Sequence, residues 1–247
     1  MPKDLVKAAE WCGKAADQGY AAAQSRLGTL YANGDGVPKD VAKAIELHRQ
    51  AAAQGDPGGQ YNLGWRYERG DGVPKDPSKA CELYQKAAEQ GHDRAQNNLG
   101  SAYGRGEGVP KDSAKALEWY RKAAEQGHAG AQFNLGVMYA NGEGVQKDPA
   151  KAFEWYLKAA KQGYAYAQFN LGVAYAKGEG VQKDVVEAYK WYTLAVRGGD
   201  AMAEGGRNEV ALEMTPRQLV QALRLAQEFK PQLTPAADEF ARRRLPR

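Results

Sequence analysis

Residues 131–163 read AQFNLGVMYANGEGVQKDPAKAFEWYLKAAKQG, and the rest of the chain restates that stretch at a fixed spacing. Val-Pro/Gln-Lys-Asp begins at Val37, Val73, Val109, Val145 and Val181, always 36 residues on, and Met1-Pro2-Lys3-Asp4 fits the same frame. With Met1 as position 1, alanine fills position 8 in all six copies: Ala8, Ala44, Ala80, Ala116, Ala152 and Ala188. Leu-Gly-x-x-Tyr starts at Leu27, Leu63, Leu99, Leu135 and Leu171, and copies close with Gly-acid-Gly, from Gly34-Asp35-Gly36 to Gly178-Glu179-Gly180. Self-similarity at this period is the signature of a repeat array, in which each unit is one supersecondary element.

Each unit reads as two helices. Asp112 can cap the first, its carboxylate accepting from the free amides of the opening turn. Ala116, Trp119, Tyr120 and Ala123 then fall at i, i+3, i+4 and i+7, one apolar stripe at helical period. Gly127 supplies a left-handed residue that stops the helix. The second helix carries Ala131, Leu135 and Tyr139 on one face, and Gly142-Glu143-Gly144 ends it. Gly28, Gly64, Gly100, Gly136 and Gly172 are different, because they sit inside a helix, where glycine costs about 1 kcal/mol relative to alanine. That placement predicts close approach by a neighbouring helix, most simply at the small position 8. Helix pairs of this size cannot bury their faces alone, so they are expected to stack into a superhelix.

Composition agrees with a scaffold of this kind. The 247 residues include 29 glycines, yet 43% hydrophobic and 10% aromatic content argues against disorder. No apolar run approaches the roughly 20 residues that span a bilayer. The net charge of +4 is spread along the chain, apart from Arg242, Arg243 and Arg244 near its end, so the basic stripe of a nucleic-acid binder is missing. The opening residues show no basic-then-apolar leader. They read as cytoplasmic, or as periplasmic or secreted if a leader was removed. Met1 falls at a repeat boundary and the first helix lacks a preceding partner, so a trimmed chain and a native start both stay open.

The block quoted at the outset resembles the Sel-one-like repeat, a relative of the tetratricopeptide repeat, and the resemblance, to a protein of bacterial type, runs over about residues 1–200. Residues 208–230, NEVALEMTPRQLVQALRLAQEFK, resemble the closing segment of bacterial members. There Thr215 can cap, Pro216 suits a first turn, and Leu219, Ala222, Leu223 and Ala226 form a stripe. The implied fold is an all-α, right-handed α-solenoid, with a repeat array over 1–214 and a C-terminal capping helix and basic tail over 215–247. In the last copy Arg207 replaces the leucine and Ala211 the tyrosine, as befits a terminal repeat.

Nothing in the sequence signals catalysis, a metal or a cofactor, and none is expected. His92 and His128 occupy position 20, which is Tyr20, Asp56, Tyr164 or Asp200 elsewhere, a helix-entry position; His48 takes the tyrosine slot of position 12. The three histidines never cluster. The Gly-acid-Gly-Val-Pro-Lys-Asp loop lacks both the phosphate-loop pattern and the spaced carboxylates of a calcium loop. Cysteine-rich relatives include proteins that bind or cleave β-lactams, but they carry paired cysteines in repeat after repeat. Here Cys12 and Cys81 stand alone in core slots, so that alternative is disfavoured.

The resemblance implies a protein or peptide partner on the concave surface, which in tetratricopeptide relatives is lined by the first helix of each pair. Position 26 reads Arg26, Asn62, Asn98, Asn134 and Asn170. The asparagines offer donor and acceptor together and could form a ladder for a bound backbone, or could tie neighbouring helices. Position 25 varies among Ser25, Tyr61, Asn97, Phe133 and Phe169, with Trp65 and Arg66 one turn on, beside Arg69 and Arg105. Aromatic and arginine side chains are the usual anchors of interfaces. Phe133, Met138 and Phe169 would make an apolar patch, and Arg26, Arg66, Arg69 and Arg105 a basic one; packing between repeats is the alternative for the aromatics. A monomeric, non-enzymatic adaptor binding no nucleic acid is the expectation.

Overall fold

The computed structural model describes residues 3–232, so the tail arginines, Arg242 to Arg244, lie outside the described residues. Among the described residues there are thirteen helices and no strand: α1 (Lys3–Asp17), α2 (Ala21–Asn33), α3 (Val41–Ala53), α4 (Pro57–Arg69), α5 (Pro77–Glu89), α6 (Asp93–Arg105), α7 (Ser113–Glu125), α8 (Ala129–Asn141), α9 (Pro149–Lys161), α10 (Ala165–Lys177), α11 (Val185–Arg197), α12 (Ala203–Ala211) and α13 (Pro216–Glu228). The chain divides into two compact units, the first ending at Trp119 and the second beginning at Tyr120. Each is a stack of helix pairs, so the class is the all-α solenoid that the repeats predict.

Local chemistry marks every boundary. Asp40, Asp76, Asp112 and Asp148 each accept from the backbone amide three residues on, at 2.9–3.0 Å. At the next helix entry Asp56 caps in the same way, and His92 and His128 do so through Nδ1, which accepts from Ala95 and Ala131. Histidine, aspartate and tyrosine alternate at position 20 because the first two share an acceptor and all three share an extended backbone there. Helix α8 stops at Gly142, whose φ of 77° lets its amide turn back to the Met138 carbonyl. Gly180 (φ 74°) carries a second constraint: a Cβ there would lie 2.2 Å from the Pro149 carbonyl oxygen.

The most extensive packing joins α2 to α3, α4 to α5, α8 to α9 and α10 to α11. The intrahelical glycine explains how. A Cβ on Gly136 would meet the Tyr156 ring at 2.6 Å and the Ala152 carbonyl oxygen at 3.3 Å. Gly64 is related in the same way to Tyr84 and Ala80, and Gly28 to His48 and Ala44. Close approach at position 8 is therefore half of the reason. The other half is the position-12 ring lying across the glycine.

Around these pairs the core is mostly alanine, leucine and tyrosine: Ala80, Tyr84, Ala87, Leu99 and Trp119 in the first unit, Ala188, Tyr192, Ala195, Ala203 and Val210 in the second. Helix α13 packs on α11, with Ala222 and Ala226 buried and a Thr215–Gln218 capping box at its start. Arg197 donates to the Ala226 carbonyl at 2.7 Å, and Phe229 meets Trp191 edge-on at 5.6 Å. At the other end, Trp11 on α1 is 68% exposed, whereas Trp119 and Trp191 at the same repeat position are buried.

Candidate interaction surface

Leucine and glycine at positions 27 and 28 bury one face of each of α2, α4, α6, α8 and α10 and leave positions 25 and 26 beside them. In the first unit Tyr61 is half-buried, stacked on the His92 ring at 4.8 Å and tilted against Tyr84 at 5.9 Å. In the second, Phe133 lies 5.9 Å from Tyr156, and Phe169 lies 5.8 Å from Tyr192. The position-25 aromatics thus rest on the position-12 tyrosine of the following helix and stay only partly accessible. Phe133 also meets Tyr164 at 5.3 Å and Tyr166 at 6.1 Å, and Tyr166 is 55% exposed. These rings make an aromatic patch on α8 and α10.

The asparagines are engaged within the fold. Asn98 bonds the Tyr84 hydroxyl and accepts from the Asn97 amide at 3.3 Å; Asn170 bonds the Tyr156 hydroxyl. Asn62 reaches the Thr29 hydroxyl, at 3.4 Å, and Asn134 is half-buried. The basic candidates separate. Arg26 and Arg105 are exposed, whereas Arg66 is 4% exposed and ion-paired with Asp71. Trp65, half-buried, carries the Arg69 guanidinium 5.0 Å from its ring centre and that of Arg66 at 5.6 Å. Met138 is buried, so the apolar patch is Phe133 with its tyrosines.

Two features escaped the reading of single positions. One is a glutamine ladder: Gln54 donates to Gln24, Gln90 to Gln60 and Gln162 to Gln132, each at 2.8 Å, while Gln96, Gln132 and Gln168 donate to the Ala88, Ala124 and Ala160 carbonyls. Its signal is plain in the sequence, glutamine at positions 18 and 24 of copy after copy. The other is Tyr166, which stands where other copies have Ala22, Gly58, Arg94, Gly130 and Met202.

Titratable groups here are tuned away from reactivity. Burial pushes the Cys81 thiol up to about 11, with Glu68 and Glu107 adding to the effect, and its sulfur donates to the Glu107 carbonyl. A thiol in that state is a poor nucleophile near neutral pH. Burial, with the Arg66 charge adding to it, lowers His48 to about 4. Burial raises Tyr156 to about 12, against the opposing bond from Asn170. Among the described residues no three His, Cys, Asp or Glu side chains gather as metal ligands, and no helix is long and apolar enough to cross a membrane.

The Sel1 repeat model matches residues 1–20, 21–56, 57–92, 93–128, 129–164 and 165–200. Its frame begins one helix later than the count from Met1, so that one complete repeat is α2 with α3. No curated protein matches the chain. Among solved structures, a Sel1 repeat protein from Oxalobacter formigenes is 35% identical over 88% of each chain, with a TM-score of 0.75. A protective antigen of uropathogenic Escherichia coli strains, displaying an SLR fold, is 32% identical with a TM-score of 0.63; the match covers 100% of this chain and 61% of that one. An immunity protein from Pseudomonas aeruginosa is 27% identical over 78% of this chain and 74% of its own, with a TM-score of 0.53.

Proposed function

The chain belongs to the Sel1 repeat family, whose members are generally protein-interaction scaffolds, and from that premise we propose that it is a non-enzymatic adaptor holding a protein or peptide partner. Within the second unit the partner lies along the first helices of the repeats, α8 and α10. The observation that supports this most is the aromatic patch of Phe133 and Tyr164, partly buried, with the exposed Tyr166. These rings occupy positions where the repeat tolerates alanine, glycine, serine or aspartate, so the fold alone does not require them. Already packed on their neighbours, they lose little conformational freedom on binding, which favours affinity. Trp65 with Arg69 supplies a second anchor of the kind interfaces favour. The mild, dispersed charge favours a protein over a nucleic-acid partner.

Affinity purification with quantitative mass spectrometry tests the proposal. The wild-type chain should capture a defined partner at near-stoichiometric yield, and Trp65→Ala with Phe133→Ala should lower that yield at least tenfold while circular dichroism stays helical. Undiminished capture by the folded double variant would reject the surface. Turnover of a chromogenic cephalosporin, or acylation by a labelled penicillin, would reject the non-enzymatic assignment.

A further inference from the structure

A cavity of about 390 Å³ opens in the second unit among α8, α9 and α10. Phe153 and Val173 give it apolar walls, Tyr156 and Asn170 supply its polar atoms, and the exposed Lys147 and Glu179 line it on the solvent side. The repeat provides an internal comparison for what such a space can hold. In the first unit the equivalent tyrosine, Tyr84, donates its hydroxyl hydrogen to Glu68 at 2.9 Å, and the equivalent asparagine, Asn98, bonds the same hydroxyl. Glu68 stands at position 32, whose counterpart before Tyr156 is Ala140. Ala140 lines the cavity, so the second unit keeps the tyrosine and asparagine and has a methyl group where the first has a carboxylate.

We propose that this cavity receives the carboxylate of a glutamate or aspartate side chain from the partner protein, placed as Glu68 is placed in the first unit. The inference rests on the adaptor reading and names the chemistry of one contact. The Asn170 amide donates to the Tyr156 oxygen, which leaves the hydroxyl hydrogen for an incoming acceptor. Lys147 carries the charge complementary to a carboxylate, and the walls of Phe153 and Val173 cover the methylenes behind it. Glu179 at the same mouth opposes any anion, most of all a highly charged one, and its charge is partly offset by Lys177 at 4.0 Å.

The test is an NMR titration of the full chain with acetyl-Ala-Glu-Ala-amide, its Gln counterpart and free propionate. The Glu peptide should produce saturable shifts at Tyr156, Asn170 and Val173 in the millimolar range, with the Gln peptide at least tenfold weaker. Ala140→Glu, which restores the first unit's arrangement, should abolish the response, and Tyr156→Phe should weaken it about tenfold. If Ala140→Glu fails to fold, the exposed Lys147→Ala decides, with a several-fold loss expected. No saturation, an equal response to the Gln peptide, or an unchanged response in the folded variants overturns the proposal. Propionate binding as tightly as the peptide overturns it in favour of a free small acid. None of these outcomes touches the partner-capture test, so the adaptor reading and this contact fail separately.

Discussion

A single side chain, the tyrosine at position 12, links three helices: its ring crosses a glycine of the preceding helix and its hydroxyl meets an asparagine of the following one. Gly136→Ala should therefore destabilise, although alanine is the better helix former by about 1 kcal/mol. The added methyl would sit 2.6 Å from a buried ring, and overpacking of this kind costs about 1–3 kcal/mol, so a lowered Tm is expected. His48 is the departure from the rule. Its imidazole covers Gly28 and lies against the Ser25 backbone rather than an asparagine, and Asn62 turns to Thr29 instead. With a folded pKa of about 4 against 6.5 unfolded, it stays neutral in the native state. The unfolded chain takes up that proton first. Stability is then full above pH 6.5 and falls as pH drops toward 4, by roughly 3 kcal/mol in total. His48→Tyr should flatten that part of the pH profile in chemical denaturation.

At the scale of elements, most helices begin on a side-chain acceptor, and the second helix of a repeat reuses the same aspartate each time. Short helices of this length are marginal alone, so caps and packing decide where they begin. Thr215→Ala removes the hydroxyl half of the capping box on α13, leaving the bond from its own amide to Gln218, and should cost about 1 kcal/mol, seen as faster amide exchange through the first turn. The glutamine ladder binds elements rather than starting them. Gln132 is buried, accepts from Gln162 and donates to the Ala124 carbonyl, so Gln132→Leu removes both bonds, while Gln162 keeps the Gly127 carbonyl and Ala124 keeps the Gly127 amide. A loss of about 1 kcal/mol is expected in urea unfolding.

At the scale of the whole molecule, stability in a stacked array is close to a sum of repeat and nearest-neighbour terms. Gly136→Ala should accordingly raise hydrogen exchange most in α8, α9 and α10, with protection of α3 to α5 in the first unit nearly unchanged. Equal loss in both units would show a cooperativity that local contacts do not supply. Function follows the same division. The repeating positions hold the fold, while in the proposed function the positions that vary from copy to copy, such as Tyr61, Phe133 and Tyr166, supply the aromatic surface for a partner.

The helix pairs, their caps and their turn glycines were legible in the sequence because each depends on a few neighbouring residues, and a 36-residue period repeats the signal. The buried faces of Leu135 and Ala131 were legible for the same reason. Side-chain fate at positions 25, 26 and 30 was not. Arg66 and Met138 looked like surface candidates, but both are buried, since position 30 faces inward and Asp71 neutralises the arginine there. The asparagines offered a ladder, but Asn98 and Asn170 bond tyrosine hydroxyls and Asn62 bonds Thr29. The exchange of Glu68 for Ala140 is visible in the sequence as two letters. Only the packed structure turns it into a filled site in one unit and a cavity in the other, because the tyrosine that gives it meaning comes from the next helix.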